Sequence, residues 1–183
     1  MDKKTWQWER TVASNNFIVS SARELMPNAF VQEAFATEAM FWAQPLSNDG
    51  TGAMLDNSLT LGIYKLSDGD RKEPIGLARM ITDYTTIAFL TDVYIADAYR
   101  GLGLGKWVIQ CCRKVVLEMS DLRFMLLFTG STELQKLYRD QLGMEVVGGP
   151  ESSLACMRAR SKNLAEAAAA TQRTTDGSSA KLS

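Results

Sequence analysis

The chain has 183 residues, 46% of them hydrophobic, which is enough for one domain with a substantial core and short for two ordinary ones. With 20 basic against 21 acidic residues the formal net charge is −1, and no run of Lys and Arg is long enough to grip a polyanion, so neither nucleic acid nor a membrane surface is expected as a partner. Histidine is absent, which removes the Ser-His-Asp and Cys-His mechanisms and every imidazole base.

In chain order, "WQWER" and "NFIVS" read as short strands about a turn at 14–16. Ser21-Ala22-Arg23-Glu24 fits a helix-capping pattern, and Phe30, Val31, Ala34, Phe35, Ala39 and Trp42 follow at helical spacing, predicting one helix that ends near Pro45. Asn48-Asp49-Gly50 reads as polar loop. Residues 58–66 and 74–82 flank "SDGDRKE" as a hairpin. Residues 87–95 form a third strand, with Ile87, Phe89, Thr91, Val93 and Ile95 on one face and Leu90, Asp92 and Tyr94 on the other, provided no bulge intervenes.

Between 106 and 120, Trp107, Val108, Cys111, Cys112, Val115, Val116 and Met119 make one stripe opposite Lys106, Gln110, Arg113 and Lys114, an amphipathic helix. Residues 123–129 read as a buried strand. Thr132 with Gln135 opens another helix over 134–142, closed by Gly143, and Val146-Val147 and 154–157 read as weak final strands. The expected organisation is a single domain over 1–160 and a tail over 161–183, loosely helical or disordered. The fold class is α/β (α+β), with a mixed, mostly antiparallel sheet flanked by helices.

No apolar stretch follows Met1-Asp2-Lys3-Lys4, and the longest strongly apolar run, 124–128, is far too short to cross a bilayer. The odd set Cys111, Cys112 and Cys156 has no C-x-x-C spacing, so no disulfide framework or zinc knuckle is expected. The expectation is a cytoplasmic protein, the nucleus not excluded, without a metal.

The chemistry concentrates in "RGLGLGKW". A Walker A loop would need glycine at 100 and a hydroxyl at 107, where Arg100 and Trp107 stand. A dinucleotide fingerprint would need glycine at 106 or 108 and meets Lys106 and Val108. The pattern Arg/Gln-x-x-Gly-x-Gly/Ala matches as Arg100-Gly101-Leu102-Gly103-Leu104-Gly105, between a strand and a helix. Small residues there let successive backbone N–H groups face one anion, the helix N-terminus adds a positive field, and Arg100 and Lys106 add charge. The plain alternative is that the glycines only make a tight connection.

With this loop the chain resembles the GNAT superfamily of N-acetyltransferases, whose element order it follows over 16–158. "NSLTLGIY", "IGLARMITDYTTIAFLTDVYI" and "RGLGLGKW" are similar to a subgroup of small bacterial and fungal members. The resemblance implies acetyl-coenzyme A as cosubstrate, its pyrophosphate held by Arg100, Gly101, Leu102, Gly103, Leu104, Gly105 and Lys106. It also implies that the strand before the loop, at Val93, Tyr94 and Ile95, binds the pantetheine arm, Val93 N–H being the donor to the thioester carbonyl. Tyr138, in "LYRDQLGM", is similar to the family tyrosine that often protonates the departing sulfur, although Met144 replaces the usual aromatic; packing over the cofactor is its alternative role.

Deprotonating the acceptor amine falls to Asp92, Asp83, Glu133 or a water chain. Asp92 is the first choice as base, with substrate anchor and structural carboxylate open beside it. Phe41 and Trp42 stand where the family builds its acceptor pocket. The expected reaction is direct acetyl transfer to a primary amine of a small molecule; a protein or peptide acetyltransferase and a non-catalytic acyl-coenzyme A binding module are the alternatives, and a homodimer is left open.

Overall fold

The computed structural model describes residues 4–67 and 71–147. Met1–Met144 forms one compact unit and Glu145–Ser183 a second, of which only 145–147 are described. The tail over 161–183, the strand at 154–157 and the hairpin turn at 68–70 lie outside the described residues. Among the described residues no helix is long and apolar enough to cross a membrane.

The first unit is built on a six-stranded sheet in simple chain order, β1 (Gln7–Val12), β2 (Asn15–Ser20), β3 (Leu59–Ser67), β4 (Arg71–Thr82), β5 (Ile87–Ile95) and β6 (Phe124–Leu126). Every neighbour pair is antiparallel except β5 with β6, so the mixed, mostly antiparallel sheet read from the sequence is the one that forms. The β1–β2 turn is Ala13-Ser14 rather than 14–16. Both residues take positive φ, 47° and 63°, the sense a two-residue hairpin needs to match the twist of its strands.

The helix predicted from Ser21 to Pro45 is broken. A 3-10 turn over Arg23–Leu25 is followed by α1 (Asn28–Phe35) and a second 3-10 turn over Glu38–Met40. Pro27 causes the first of these two breaks, because its ring forces the preceding residue out of the helical region; Met26 sits at φ −100°, ψ 100°. Ser21 is not a cap, and its Oγ accepts the Trp6 N–H instead, at 2.9 Å. The predicted polar loop at 48–50 is helical too, as α2 (Asn48–Asp56), because Ser47 Oγ accepts the Gly50 N–H and caps it.

Helix α3 (Leu104–Val116) follows its predicted stripe, with Trp107, Val108, Cys111, Cys112, Val115 and Val116 buried. They pack with Leu61, Ile63, Met80, Ala88 and Leu90 of the sheet, and burial of each large apolar side chain stabilises by roughly 1.5–3 kcal/mol. Helix α4 (Thr132–Leu142) is capped by Ser131, one residue before the predicted Thr132, and ends at Gly143 with φ +66°. On the polar side of α3, Arg113 donates to the Gln141 carbonyl at 2.7 Å, satisfying the end of α4. Val31, Ala34 and Phe35 of α1 and Leu55 of α2 make a separate cluster with Tyr64 and Leu77.

Residues 123–129 do not form a buried strand. Only Phe124–Leu126 pairs, at the sheet edge, and Phe124, Leu126 and Phe128 are exposed while Met125 and Leu127 pack inward. A strand covered on one face alternates, whereas the apolar run read as a strand covered on both. Val146 and Val147 are exposed and outside any strand.

Candidate active site

Sheet order and strand irregularity together open one edge of β5, the wall of the candidate cleft. Parallel pairing of β5 with β6 is confined to Ile87↔Phe124, Ala88↔Met125 and Phe89↔Leu126. From Leu90 onward the edge of β5 that faces away from β4 has no strand partner among the described residues. β5 is also bulged there: Thr91 pairs with Arg79 and Tyr94 with Leu77, so Asp92 and Val93 together oppose Ala78.

The bulge overturns the two-face reading of this strand. Asp92 takes φ +44°, and alternation reverses across it. Leu90 before the bulge and Val93 and Ile95 after it belong to the α3 side of the sheet, whereas Tyr94 packs against the α1 cluster, 6.3 Å from Phe30. Leu90, Asp92 and Tyr94 therefore do not share a face.

Asp92 is 6% exposed and its carboxylate is fully engaged. Oδ2 accepts Arg79 Nε at 2.7 Å and lies 2.6 Å from Arg79 Nη2. Oδ1 accepts Trp42 Nε1 at 3.3 Å and Thr91 Oγ1 at 3.1 Å. A carboxylate has about four lone-pair sites, and these contacts use them, so the geometry fits a structural carboxylate better than a base or a substrate anchor. Two residues assigned separately in the sequence, Asp92 and Trp42, thus meet at one point.

The other carboxylates considered as bases are placed elsewhere. Asp83 closes the β4–β5 turn, at the opposite end of β5 from the glycine loop. Its oxygens accept the N–H groups of Thr85, Thr86 and Ile87 and the Thr86 hydroxyl, bonds that hold its carboxyl well below the usual range. Glu133 is exposed at the start of α4, where the Ser131 hydroxyl lowers its pKa.

The loop after β5 turns through a 3-10 segment, Asp97–Tyr99, into Arg100 and then Gly101 and Gly103 at φ +78° and +74°. Leu104 is buried and Leu102 packs against the same core, so the leucines pin the loop while the glycines supply the left-handed turns between them. A Cβ at either glycine would meet nothing within 4 Å, which leaves open space beside the backbone. Gly103 is the N-cap of α3 and offers no side chain, so the first-turn N–H groups of Leu104, Gly105 and Lys106 have no cap acceptor. The result is a concave set of donors at a positive helix end.

Arg100 proves to be a brace. Its Nε donates to the Ile95 carbonyl at 3.0 Å and its Nη2 lies 2.7 Å from Asp97 Oδ1, tying the loop to the end of β5. Lys106 is exposed on the first turn of α3. Gly105 needs no special conformation: a Cβ there would touch Ile95 Cγ1 at an ordinary 3.8 Å.

This bulged strand, left-handed glycine loop and uncapped helix lie within a stretch of the chain that known proteins resemble. Residues 22–144 match the model of the acetyltransferase (GNAT) family. The chain belongs to that family. A Gibberella zeae protein named as an acetyltransferase is 28% identical over 155 residues, covering 78% of this chain and 84% of that one. A crystal structure of a Xanthomonas campestris protein described as a GNAT-family acetyltransferase superposes with a TM-score of 0.60 at 25% identity, covering 78% of this chain and 93% of that one. A Deinococcus radiodurans structure shares the fold at a TM-score of 0.53 and 20% identity, over 83% and 92% of the two chains.

In this GNAT chain Tyr138 lies in the same apolar cluster as Val93, Ile95 and Leu104, 8% exposed, and burial raises its phenol pKa above the ordinary value. Phe41 and Trp42 follow the second 3-10 turn, edge to face at 5.1 Å, with Phe41 85% and Trp42 52% exposed. The thiols of Cys111 and Cys112 are buried, and desolvation pushes that of Cys111 up to about 12; Cys156 lies outside the described residues. In a Cys156→Ser chain, a thiol reagent at pH 8 should therefore label neither cysteine until denaturant is added, as followed by absorbance. Fast labelling of the native chain would contradict their placement.

Arg79 was missed by the sequence reading. The available signal was a lone arginine inside the apolar run "IGLARMIT" in a strand next to one with a lone aspartate, since charges buried mid-strand need a partner.

Proposed function

We propose that this GNAT acetyltransferase uses acetyl-coenzyme A to acetylate a primary amine of a small molecule by direct attack. The observation that supports the cosubstrate is the loop: Gly101 and Gly103 at positive φ, open space at both Cβ positions, and an uncapped α3 N-terminus beside the unpaired edge of β5. Backbone N–H groups of 103–106 would hold the pyrophosphate, with Lys106 adding positive charge. The cosubstrate supplies an acyl group activated as a thioester. Val93 N–H, at the bulge, is the candidate donor to the carbonyl oxygen.

A phenol keeps its proton through neutral pH, and burial only raises the Tyr138 pKa further, so its hydroxyl can donate to a departing sulfur. Asp92, occupied by Arg79, Trp42 and Thr91, serves as a structural carboxylate that holds Trp42 in place, and the amine proton passes to water. Calorimetric titration with acetyl-coenzyme A and a coenzyme A release assay over an amine panel test the reading; a folded protein that binds neither acetyl-coenzyme A nor coenzyme A would sink it. Tyr138→Phe is expected to slow release about 10²-fold, the size typical of one general acid, with cofactor affinity intact. Equal turnover in the variant would assign Tyr138 to packing alone.

A further inference from the structure

The row of side chains beside Asp92 deepens this reading and rests on it. Phe89 and Thr91 share one face of β5 by alternation, since no irregularity lies between them. Phe128 stacks edge to face on Phe89 at 5.3 Å and is 71% exposed. Thr91 and Trp42 meet on Asp92 Oδ1, and Phe41 lies against Trp42. Aromatic surface thus borders the cleft at both ends of a stretch of β5 about 10 Å long, three residues of extended strand.

The charges along this row cancel. Arg79 and Asp92 are 12% and 6% exposed and face each other, so neither offers a free counter-ion to a substrate. A seat of this kind disfavours an acceptor with an obligatory carboxylate or several ammonium groups, because each would lose hydration without gaining a partner. It also favours the neutral, nucleophilic form of the reacting nitrogen, since an apolar surrounding penalises the ammonium.

We infer that the acceptor is a monoamine carried on an aromatic or bulky apolar body without a compulsory anionic group. Trp42 and Phe128 are its specificity-determining contacts, and Arg79 is a positioning residue that neutralises Asp92 and, through it, holds Trp42 at the rim.

The test is coenzyme A release by the full chain with 2-phenylethylamine, phenylalanine, spermidine and a lysine-containing peptide as acceptors. The expected result is a kcat/KM for 2-phenylethylamine at least about tenfold above each of the others, the range that one good apolar contact or one unpaired charge gives. Trp42→Ala and Phe128→Ala should each raise KM for this amine about tenfold, with the calorimetric Kd for acetyl-coenzyme A unchanged and far-UV circular dichroism native. Preference for spermidine, phenylalanine or the peptide would overturn the inference while leaving the acetyltransferase reading intact. So would an unchanged KM in both variants, or a dimer in light scattering that Phe128→Ser dissolves, which would give the row to a second copy. Absence of acetyl-coenzyme A binding altogether would overturn the parent reading instead.

Discussion

Arg79→Met is expected to lower the unfolding free energy by about 3–5 kcal/mol, because it leaves the Asp92 carboxylate buried without its cation. The pair spans two central strands and sits beside a backbone bulge, so nothing nearby can replace the guanidinium except water entering the cleft. Restoring neutrality should rescue much of this loss. Arg79→Met with Asp92→Asn keeps an acceptor for the Trp42 indole N–H, removes the unpaired charge, and suits the left-handed φ of +44°, which asparagine tolerates better than most residues. Urea unfolding of the wild type, both single variants and the double variant measures the coupling. A double variant as unstable as the sum of the singles, or a single variant within 1 kcal/mol of wild type, would mean that the pair is solvated and does not organise the cleft.

Gly103→Val is the second large effect. Valine at φ +74° is strained by about 1–2 kcal/mol, and relief of that strain must rotate the first-turn N–H groups away from their common focus. Coenzyme A affinity is expected to fall by at least about a hundredfold, the loss of a few charge-assisted hydrogen bonds at 1.5–3 kcal/mol each. Gly105→Ala is the contrasting case. Its Cβ fits at an ordinary contact distance inside the helix, so it should bind coenzyme A with little change and gain roughly 0.5–1 kcal/mol of stability. Paired calorimetry and denaturation check both. Equal binding by the two variants would remove the loop from the cofactor site.

These contrasts show why the glycine loop was legible in sequence and the cleft floor was not. "GLGLG" encodes its geometry locally: leucines that bury and glycines that turn need no information from elsewhere in the chain. The α3 stripe was legible for the same reason, its period of 3.6 being carried by residues within two turns of each other. The Ser131 cap of α4 was misplaced by one residue, the ordinary uncertainty of a helix end.

Failures arose where a local pattern competed with a distant partner or a single stiff residue. Pro27 broke a helix whose apolar spacing was otherwise convincing. Ser21, in a good capping context, was taken by the backbone of Trp6 across the β1–β2 hairpin. The Asn48-Asp49-Gly50 stretch read as polar loop, whereas Ser47 caps it as the start of α2.

By itself the sequence determined the class of fold, the strands β1 to β5, the helices α3 and α4, and the left-handed glycine turns of residues 101–103, all set by short-range periodicity and steric permission. Only the tertiary structure decided that β5 bulges at Asp92, that β6 leaves β5 after three residue pairs, and that Arg79 and Trp42 converge on one carboxylate from 13 and 50 residues away. Strand register and buried charge pairing are contacts between distant segments, and a period-two pattern carries no record of where one extra residue reverses it.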